Sequence, residues 1–486
     1  MWKMRLVVGI DLGTQSLKAV VCDAELRVLG DHHIAHPTQH PRPGWAEQDP
    51  RVWEASLAPA IAMALAKAGA RSSDVVALAI AGQLDGCVAV DASGDPLHAA
   101  LIWQDKRATE HVIADPARVF AIAGQVADPS HFAAKLRWLR VRGGHGFPAA
   151  CSHQPTSYLV ERLTGARVLD HAHASTTMLY DLSARAWSPE LCAAFAIDPG
   201  ELPAIRDAHA IAGALHARGA ALTGLPADVL VAVGTGDDFA TPLGAGVCAP
   251  GGPVVVALGT AEVVGALAAT PVFDRAAEPM VETHAYPTGA YFVENPGWLS
   301  GGAIRWATAL LGLASDGELD ELAATAPPGA DGLTFIPALA GAMTPVWRPN
   351  ARGTLHGLTA AHDRAHVARA VLEGLAFACR DVVDRLAELG LATHDVLVLG
   401  GGGASRVWTQ IRANVLGRPH HVAVRTDTSA IGAAMLAAVA AGLVPDLAAA
   451  CALSPPPTET FTPGGSPDEA YARYRQLVGQ LAPLWA

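Results

Sequence analysis

The sequence predicts an α/β protein made of two similar domains around a cleft, and three observations carry that expectation. Two hairpin patterns tipped by Gly-Thr open at Arg5 and Pro253. Strand and helix patterns alternate after each. The chain's 486 residues, 51% of them hydrophobic, exceed what one core comfortably holds.

The elements follow in chain order. RLVVGIDLGTQSLKAVVCDAELRVLG, from Arg5, reads as strand, glycine-containing turn, strand, turn and strand. VWEASLAPAIAMALAKAG, from Val52, has the spacing of an amphipathic helix, and VVALAIAG, from Val75, is an apolar run suited to a buried strand. CVAVDASGDPLHAALIW, from Cys87, predicts a hairpin around a Gly-Asp turn, and AAKLRWLRVRG, from Ala133, a short basic helix. The small residues and prolines of GAGVCAPGGP, 244–253, suit a crossover between domains. PVVVALGTAEVVGALAAT then repeats the opening scheme, so a duplicated architecture is expected. HVARAVLEGLAFACRDVVDRLAEL, from His366, predicts a long helix, and DVLVLGGGGASRVWTQIRANVLG, from Asp395, a strand, a glycine run and a helix. Residues 430–444 predict a buried helix ended by Pro445, short of the roughly 20 residues a membrane span needs. The expected domains are 1–247 and 253–445, with a carboxyl-terminal extension over 446–486.

Composition excludes several classes of function. A formal charge of −12 argues against nucleic acid or an anionic membrane as the partner, since both need a basic footprint. No secretory signal is expected at the amino terminus. Seven cysteines scattered singly, without a CxxC pair, suit a reducing cytoplasm better than a disulfide framework. None of the 20 histidines falls in a metal-ligand pattern, so His171, His173, His420 and His421 read as loop or surface residues.

Gly-Thr at a hairpin tip suits phosphate binding. Glycine lets the backbone approach, amides and the hydroxyl donate to oxygens, and a nearby Asp can hold Mg2+ through water. Asp11, Gly13, Thr14 and Gln15 bring these parts together, and Gly259-Thr260 supplies a second tip. One such turn is ordinary turn chemistry; two in corresponding places of two halves carry more. Glycines 400–403, after VLVL and opening a helix, offer a nucleotide unobstructed backbone. The same strand, glycines, helix, strand and Asp427 also suit a dinucleotide fold and hence an NAD-dependent oxidoreductase. Against that rival, Ser405 stands where the third glycine of GxGxxG would fall. A Walker A loop is absent. GTGDDF, 234–239, sets Asp237 and Asp238 between glycines and an aromatic residue, which makes them candidates for a catalytic base.

The order of these motifs resembles the FGGY carbohydrate kinases, and within that family the xylulokinase branch. The matching stretches span nearly the whole chain: GIDLGTQSLKAVV, PGWAEQDPRVWEA, AIAGQLDGCVAVDASGDPLHAALIWQDKRA, GTGDDFATPLGAG, VALGT, PNARGTLHGLT and LGGGGASRVWTQIRANVLGRP. GTLHGLTAAHDRAHVARAVLE, 353–373, resembles the family's carboxyl-terminal signature at each defined position. In SHFAAKLRWLRVR, Lys135 and Trp138 fit the amino-terminal signature, but Phe132 stands where Pro, Ser or Thr is usual.

The resemblance implies an actin-like (ribonuclease H-like) ATPase fold. It also implies ATP and Mg2+ as cofactors, a small sugar or polyol as substrate, a cytoplasmic location and a homodimer. It implies that Asp11 organises Mg2+ through water, and that Thr14, Gln15, Gly259 and Thr260 contact the ATP phosphates. Gly301, Arg305, Gly402 and Gly403 are implied near the nucleotide, Asp237 as the base for the attacking hydroxyl, and Leu84, Asp85, Trp103, Asp105 and Asp238 at the sugar. D-xylulose is the first candidate for that sugar. The sequence departs from the xylulokinase pattern at three places: GQLDG, 82–86, replaces Gly-Gln-Met-His-Gly, Asp238 replaces the usual Asn or Gln, and Gln104 replaces Asn in Trp-Asn-Asp. Ionised Asp85 and Asp238 only accept hydrogen bonds, so together they favour a ligand with several hydroxyl donors, such as a pentulose or an erythritol-like polyol. Two plainer roles stay open, Asp85 as a turn stabiliser and Trp103 as core packing.

Overall fold

Strand β1 (Leu6–Leu12) is apolar almost throughout because both its faces are covered, and it runs antiparallel to β2 (Ser16–Cys22) across the first Gly-Thr turn. This computed structural model describes residues 5–113, 115–143, 149–423, 427–465 and 467–485. The chain forms two compact units. The first takes in the residues up to Ala249 together with Thr283–Tyr291 and Asp427–Ser454, and the second takes in the rest.

In the first unit β2 pairs antiparallel with β3 (Val28–Ala35), and β1 pairs parallel with β4 (Val75–Gly82). The sheet continues through β5 (Ile211–Ala214) and β6 (Leu230–Ala232) in the order β5-β6-β4-β1-β2-β3, and β7 (Thr235–Gly236) extends along the end of β4. Helix Pro50–Lys67 buries Trp53, Leu57, Ile61 and Leu65 against this sheet; Asp49 caps it and Pro50 occupies its first turn.

The second unit repeats the scheme. Strands β8 (Val254–Leu258) and β9 (Ala261–Ala268) form an antiparallel hairpin across the second Gly-Thr turn, and β8 pairs parallel with a later strand, β11 (Val396–Leu399). With β10 (Tyr291–Leu299), β12 (His420–Val422) and β13 (Glu459–Phe461), the order is β10-β9-β8-β11-β12-β13. Helix Arg364–Glu388 covers it, capped at its start by Asp363.

Three sequence expectations need correction. The segment from Cys87 does turn at 91–95, but its arms are joined only by isolated bridges, because Val88–Val90 pairs with Cys151–His153 and Ala100–Leu101 with Glu47–Gln48. His173 and His420 are fully buried, not surface residues. His173 Nδ1 lies 2.8 Å from Asp170 Oδ1, and His420 Nδ1 lies 2.9 Å from Arg418 O. Finally, helix Thr428–Ala440, buried as predicted, belongs to the first compact unit although its sequence follows the second domain. It fits there because a Cβ on Gly9 or Gly244 would collide with the backbone oxygens of Ala430 and Thr428, so glycine is required at both close approaches.

Candidate active site

At the open end of β1, Asp11 stands opposite Lys18 in the hairpin. Its Oδ1 accepts a hydrogen bond from Ser429 Oγ at 3.0 Å, and Lys18 forms an ion pair with Asp427. Burial raises the Asp11 carboxyl to about 6; Ser429 and Lys18 offset the rise and Asp427 adds to it. The hairpin tip is held from outside. Trp103 Nε1 donates to Thr14 Oγ1 at 2.8 Å, and Gln48 Nε2 donates to the Thr14 carbonyl at 2.6 Å. Gln15 is exposed, and its carbonyl accepts from the His36 amide at 2.9 Å. Trp103 is 40% exposed, which removes the core-packing reading.

Asp237 and Asp238 open helix Asp237–Gly244, where the free amides and helix dipole favour negative charge. They are aimed there by β7: Thr235 and Gly236 pair with Ala81 and Gly82, and the Thr235 hydroxyl donates to buried Asp170 Oδ2 at 2.7 Å. The adjacent carboxylates differ in what surrounds them. Burial drives Asp237 well above the ordinary carboxylate range, and the charges of Asp238 and Asp11 raise it further. Asp238 is raised to about 6, also by burial first, with His284 opposing the rise and Asp85 adding to it. Asp237 therefore belongs with Asp11, and Asp238 with the Asp85 loop.

That loop leaves β4 at Gly82. Leu84 is half-buried and leans over Gly236, where an added Cβ would strike its Cδ2. Asp85 has φ 58°, in the left-handed region that Asp and Asn tolerate better than most residues. Its amide donates to Gln154 Oε1 at 2.8 Å, its carbonyl accepts from Lys135 Nζ at 2.9 Å, and Oδ2 lies 3.1 Å from His131 Nδ1. Oδ1 is buried and has no hydrogen-bond partner. The carboxylate thus faces His131 instead of bracing its own turn. Lys135 is fully buried, and desolvation lowers its ammonium to about 8 despite Asp85 and Asp105 nearby.

Asp105 does not stand as a free sugar contact. It is fully buried, and both oxygens are occupied: Oδ2 accepts from the Ala46 amide at 2.7 Å and from Arg107 Nη2 at 2.6 Å, and Oδ1 accepts from Arg107 Nε at 2.9 Å. Arg107 in turn lies 3.6 Å from the ring centroid of Trp45. Asp105 thereby fixes the loop that carries Trp103.

In the second unit, the Thr260 carbonyl accepts from the amides of Ser300 and Gly302, each at 3.1 Å, and Arg305 Nη2 donates to Thr260 Oγ1 at 3.3 Å. Gly301 needs its missing side chain, because a Cβ would meet Gly259 O. Gly402 and Gly403 are small for packing reasons, against Leu258 and Trp408 and against Val398 and Val422 respectively, whereas around Gly401 the space is open. Sequence reasoning missed the buried pair beneath this turn. Arg412 and Glu262 form an ion pair with both side chains fully buried, and Glu262 Oε2 accepts from Ser300 Oγ at 2.8 Å. It also missed Ser429 and His131, which reach their partners from distant sequence. The dinucleotide reading loses the acidic residue it relied on, because Asp427 is paired with Lys18, and Ser405, which stood against it, caps helix Arg406–Leu416.

Comparisons with known proteins identify the family and the fold. Residues 6–244 match the amino-terminal domain of the FGGY family of carbohydrate kinases, and residues 254–441 match its carboxyl-terminal domain. A glycerol kinase of Citrifermentans bemidjiense is 33% identical over 467 residues, covering 91% of each chain. A xylulose kinase of Klebsiella pneumoniae is 33% identical over 441 residues, covering 90% of each. The crystal structure of a xylulose kinase from Rhodospirillum rubrum superposes with a TM-score of 0.89 at 30% identity, over 99% of this chain and 100% of that one.

Proposed function

Because the chain belongs to the FGGY family of carbohydrate kinases, with the two-domain actin-like fold of that family, we propose that it transfers the γ-phosphoryl group of ATP to a terminal hydroxyl of a ketopentose, D-xylulose first. The enzyme is a phosphotransferase with an alcohol group as acceptor. One observation supports the assignment of roles: Asp237 opens helix Asp237–Gly244, and of the adjacent pair it is the carboxyl on which the charge of Asp11 acts, so it is the one set beside the residue suited to Mg2+ and is assigned the acceptor's proton. In the proposed step the acceptor oxygen attacks the γ-phosphorus, its proton passes to Asp237, the new O–P bond forms and the bond to ADP breaks. Phosphoryl transfer asks little covalent chemistry of the protein, so positioning and charge compensation do most of the work.

Mg2+ fits the oxygen donors present. Among the described residues no three His, Cys, Asp or Glu side chains converge as an all-protein metal cage. Mg2+ keeps several waters and is commonly held by one or two carboxylates plus substrate phosphates, and Asp11 suits that part. When bound, it would screen the charge on the transferring phosphate. Thr14 and Gln15 on one hairpin, with Gly259, Thr260, Gly301, Arg305, Gly402 and Gly403 in the second unit, are assigned to the nucleotide. Leu84, Asp85, Trp103 and Asp238 are assigned to the acceptor, with Asp105 as support for Trp103.

Similarity of 33% to both a glycerol kinase and a xylulose kinase leaves the acceptor to the site itself. The acceptor-only oxygen of Asp85 favours a second reading, an erythritol-like polyol. Seven singly scattered cysteines suit the cytoplasm, and no helix among the described residues is long and apolar enough to cross a membrane. ADP release measured over ketopentoses, erythritol, glycerol and pentitols tests the reading. D-xylulose should give the highest kcat/KM, a polyol in first place would move the assignment to the second reading, and a rate indifferent to every acceptor would defeat both.

A further inference from the structure

Asp85 is fixed by three residues from two parts of the chain, yet one of its polar atoms is left over. Its amide is held by Gln154, its carbonyl by Lys135 and Oδ2 by His131, while Oδ1 is buried without a partner. A buried acceptor left unsatisfied is unfavourable, and in a substrate site the natural remedy is a donor on the substrate. His131 comes from the residue just before helix Phe132–Gly143, is nearly buried, and has Gln125 Nε2 3.3 Å from the same ring nitrogen. The Gln125 amide is oriented by its other contacts, since its Oε1 accepts from the Met178 amide at 2.7 Å and its Nε2 donates to the Thr176 carbonyl at 2.8 Å. An ionised carboxylate accepts only, so Nδ1 carries the proton and donates to Asp85. This contact aims the carboxylate: with Oδ2 engaged, rotation about the terminal bond is stopped and Oδ1 keeps one direction.

We propose that His131 is a specificity-positioning residue, holding Asp85 so that Oδ1 selects an acceptor that presents a hydroxyl, and not a carbonyl oxygen, at that point. The inference rests on the kinase reading and deepens it by naming the group the acceptor must bring. A ketose satisfies it only in a pose that turns a hydroxyl toward Asp85, whereas a polyol carbon satisfies it in any register. Sites built to bond a hydroxyl reject analogues lacking it strongly, because the protein's own buried group is then left unpaired.

The test is steady-state kinetics of the full-length enzyme and of Asp85→Asn, His131→Phe and His131→Asn, with the best acceptor found for the wild type and its monodeoxy analogues. Asn tolerates the left-handed backbone of position 85, and an Asn amide can replace a donating Nδ1, so two of the three variants preserve the local fold. Asp85→Asn should raise KM for the acceptor about 10- to 100-fold with kcat nearly unchanged, as expected for loss of a hydrogen bond to a charged group. His131→Phe should raise it roughly 5- to 10-fold, and His131→Asn should restore it to within about 3-fold, in line with the smaller worth of an indirect contact. One monodeoxy analogue should be as poor for the wild type as the parent is for Asp85→Asn, and that variant should not tell the two apart. An unchanged KM in His131→Phe, or the same deoxy-to-parent ratio in Asp85→Asn as in the wild type, would overturn the proposal while leaving the kinase reading intact. Absence of acceptor-dependent ADP release in the wild type would defeat the kinase reading and the proposal with it.

Discussion

Replacing Asp238 by Asn should make the apoprotein more stable at neutral pH. The folded carboxyl titrates at about 6 against an ordinary 3.8, with burial as the first cause and the charge of Asp85 adding to it. Roughly two pKa units at 1.36 kcal/mol each set an upper limit near ~3 kcal/mol on the cost of holding it ionised. The side chain is half-buried, so water screens part of this, and ~1–2 kcal/mol is the expected gain. The sign follows from linkage. The folded pKa lies above the unfolded one, so the contribution to stability is fully present below about pH 4 and is lost as the pH rises through about 6. Asn removes the charge at similar size. At about pH 7.5 its Tm should exceed that of the wild type by roughly 2–8 °C, at about 2–4 °C per kcal/mol for a unit of this size. Scanning calorimetry of both proteins without ligand, repeated near pH 5, reads the difference, and the gain should shrink toward acid. An equal or lower Tm for Asp238→Asn near neutrality, or a gain independent of pH, would refute the reasoning.

Other expectations concern catalysis and packing. Asp237→Asn should lower kcat by about 10²- to 10⁴-fold, the usual worth of a positioned general base, while calorimetric affinity for the acceptor stays within about 3-fold. The acid limb of kcat/KM should set in well above the ordinary carboxylate range, because burial and the charges of Asp238 and Asp11 hold the Asp237 carboxyl up. In Asp238→Asn that limb should move to lower pH, since a negative neighbour of Asp237 is gone; pH–rate profiles of the two proteins check it. Arg412→Met leaves Glu262 charged and unpaired in the core, so denaturant unfolding should show a loss of ~3–5 kcal/mol, and Glu262→Gln combined with Arg412→Met should recover part of it. Because Glu262 holds Ser300 against the Thr260 turn, the single variant should also raise KM for ATP more than KM for the acceptor.

The two glycine-tipped hairpins were legible in the sequence because their information is local: β-branched strands, a turn glycine and a polar tip follow one another within about 20 residues. The places of Asp11 at a strand end, Asp237 at a helix start and Asp85 in a turn were legible for the same reason. The unit to which helix Thr428–Ala440 belongs was not, since its seat depends on Gly9 and Gly244, residues that read as ordinary turn or strand glycines until the backbones are seen to approach. Ser429 and His131 were illegible as site residues because each acts on a carboxylate far away in sequence, and neither lies in a pattern that requires it. Asp105 shows the opposite failure: its motif is plain, but only the geometry reveals that Arg107 and Ala46 already occupy both its oxygens.

The return of the chain at Asp427 sets an order of events during synthesis. The first unit is unfinished when the ribosome has passed Ala249, because the helix that packs on β1 and on helix Asp237–Gly244 has not yet been made. Until then the face of the sheet that carries Gly9 stays bare, Asp11 lacks its hydroxyl donor and Lys18 its counter-ion. Early domain-by-domain folding, the common route for long chains, is therefore closed to this half of the molecule. The nascent chain has to be kept from aggregating until almost all of it has emerged. A fragment ending at Ala249 should be insoluble alone, and the acceptor chemistry should be impossible to transplant as a contiguous module.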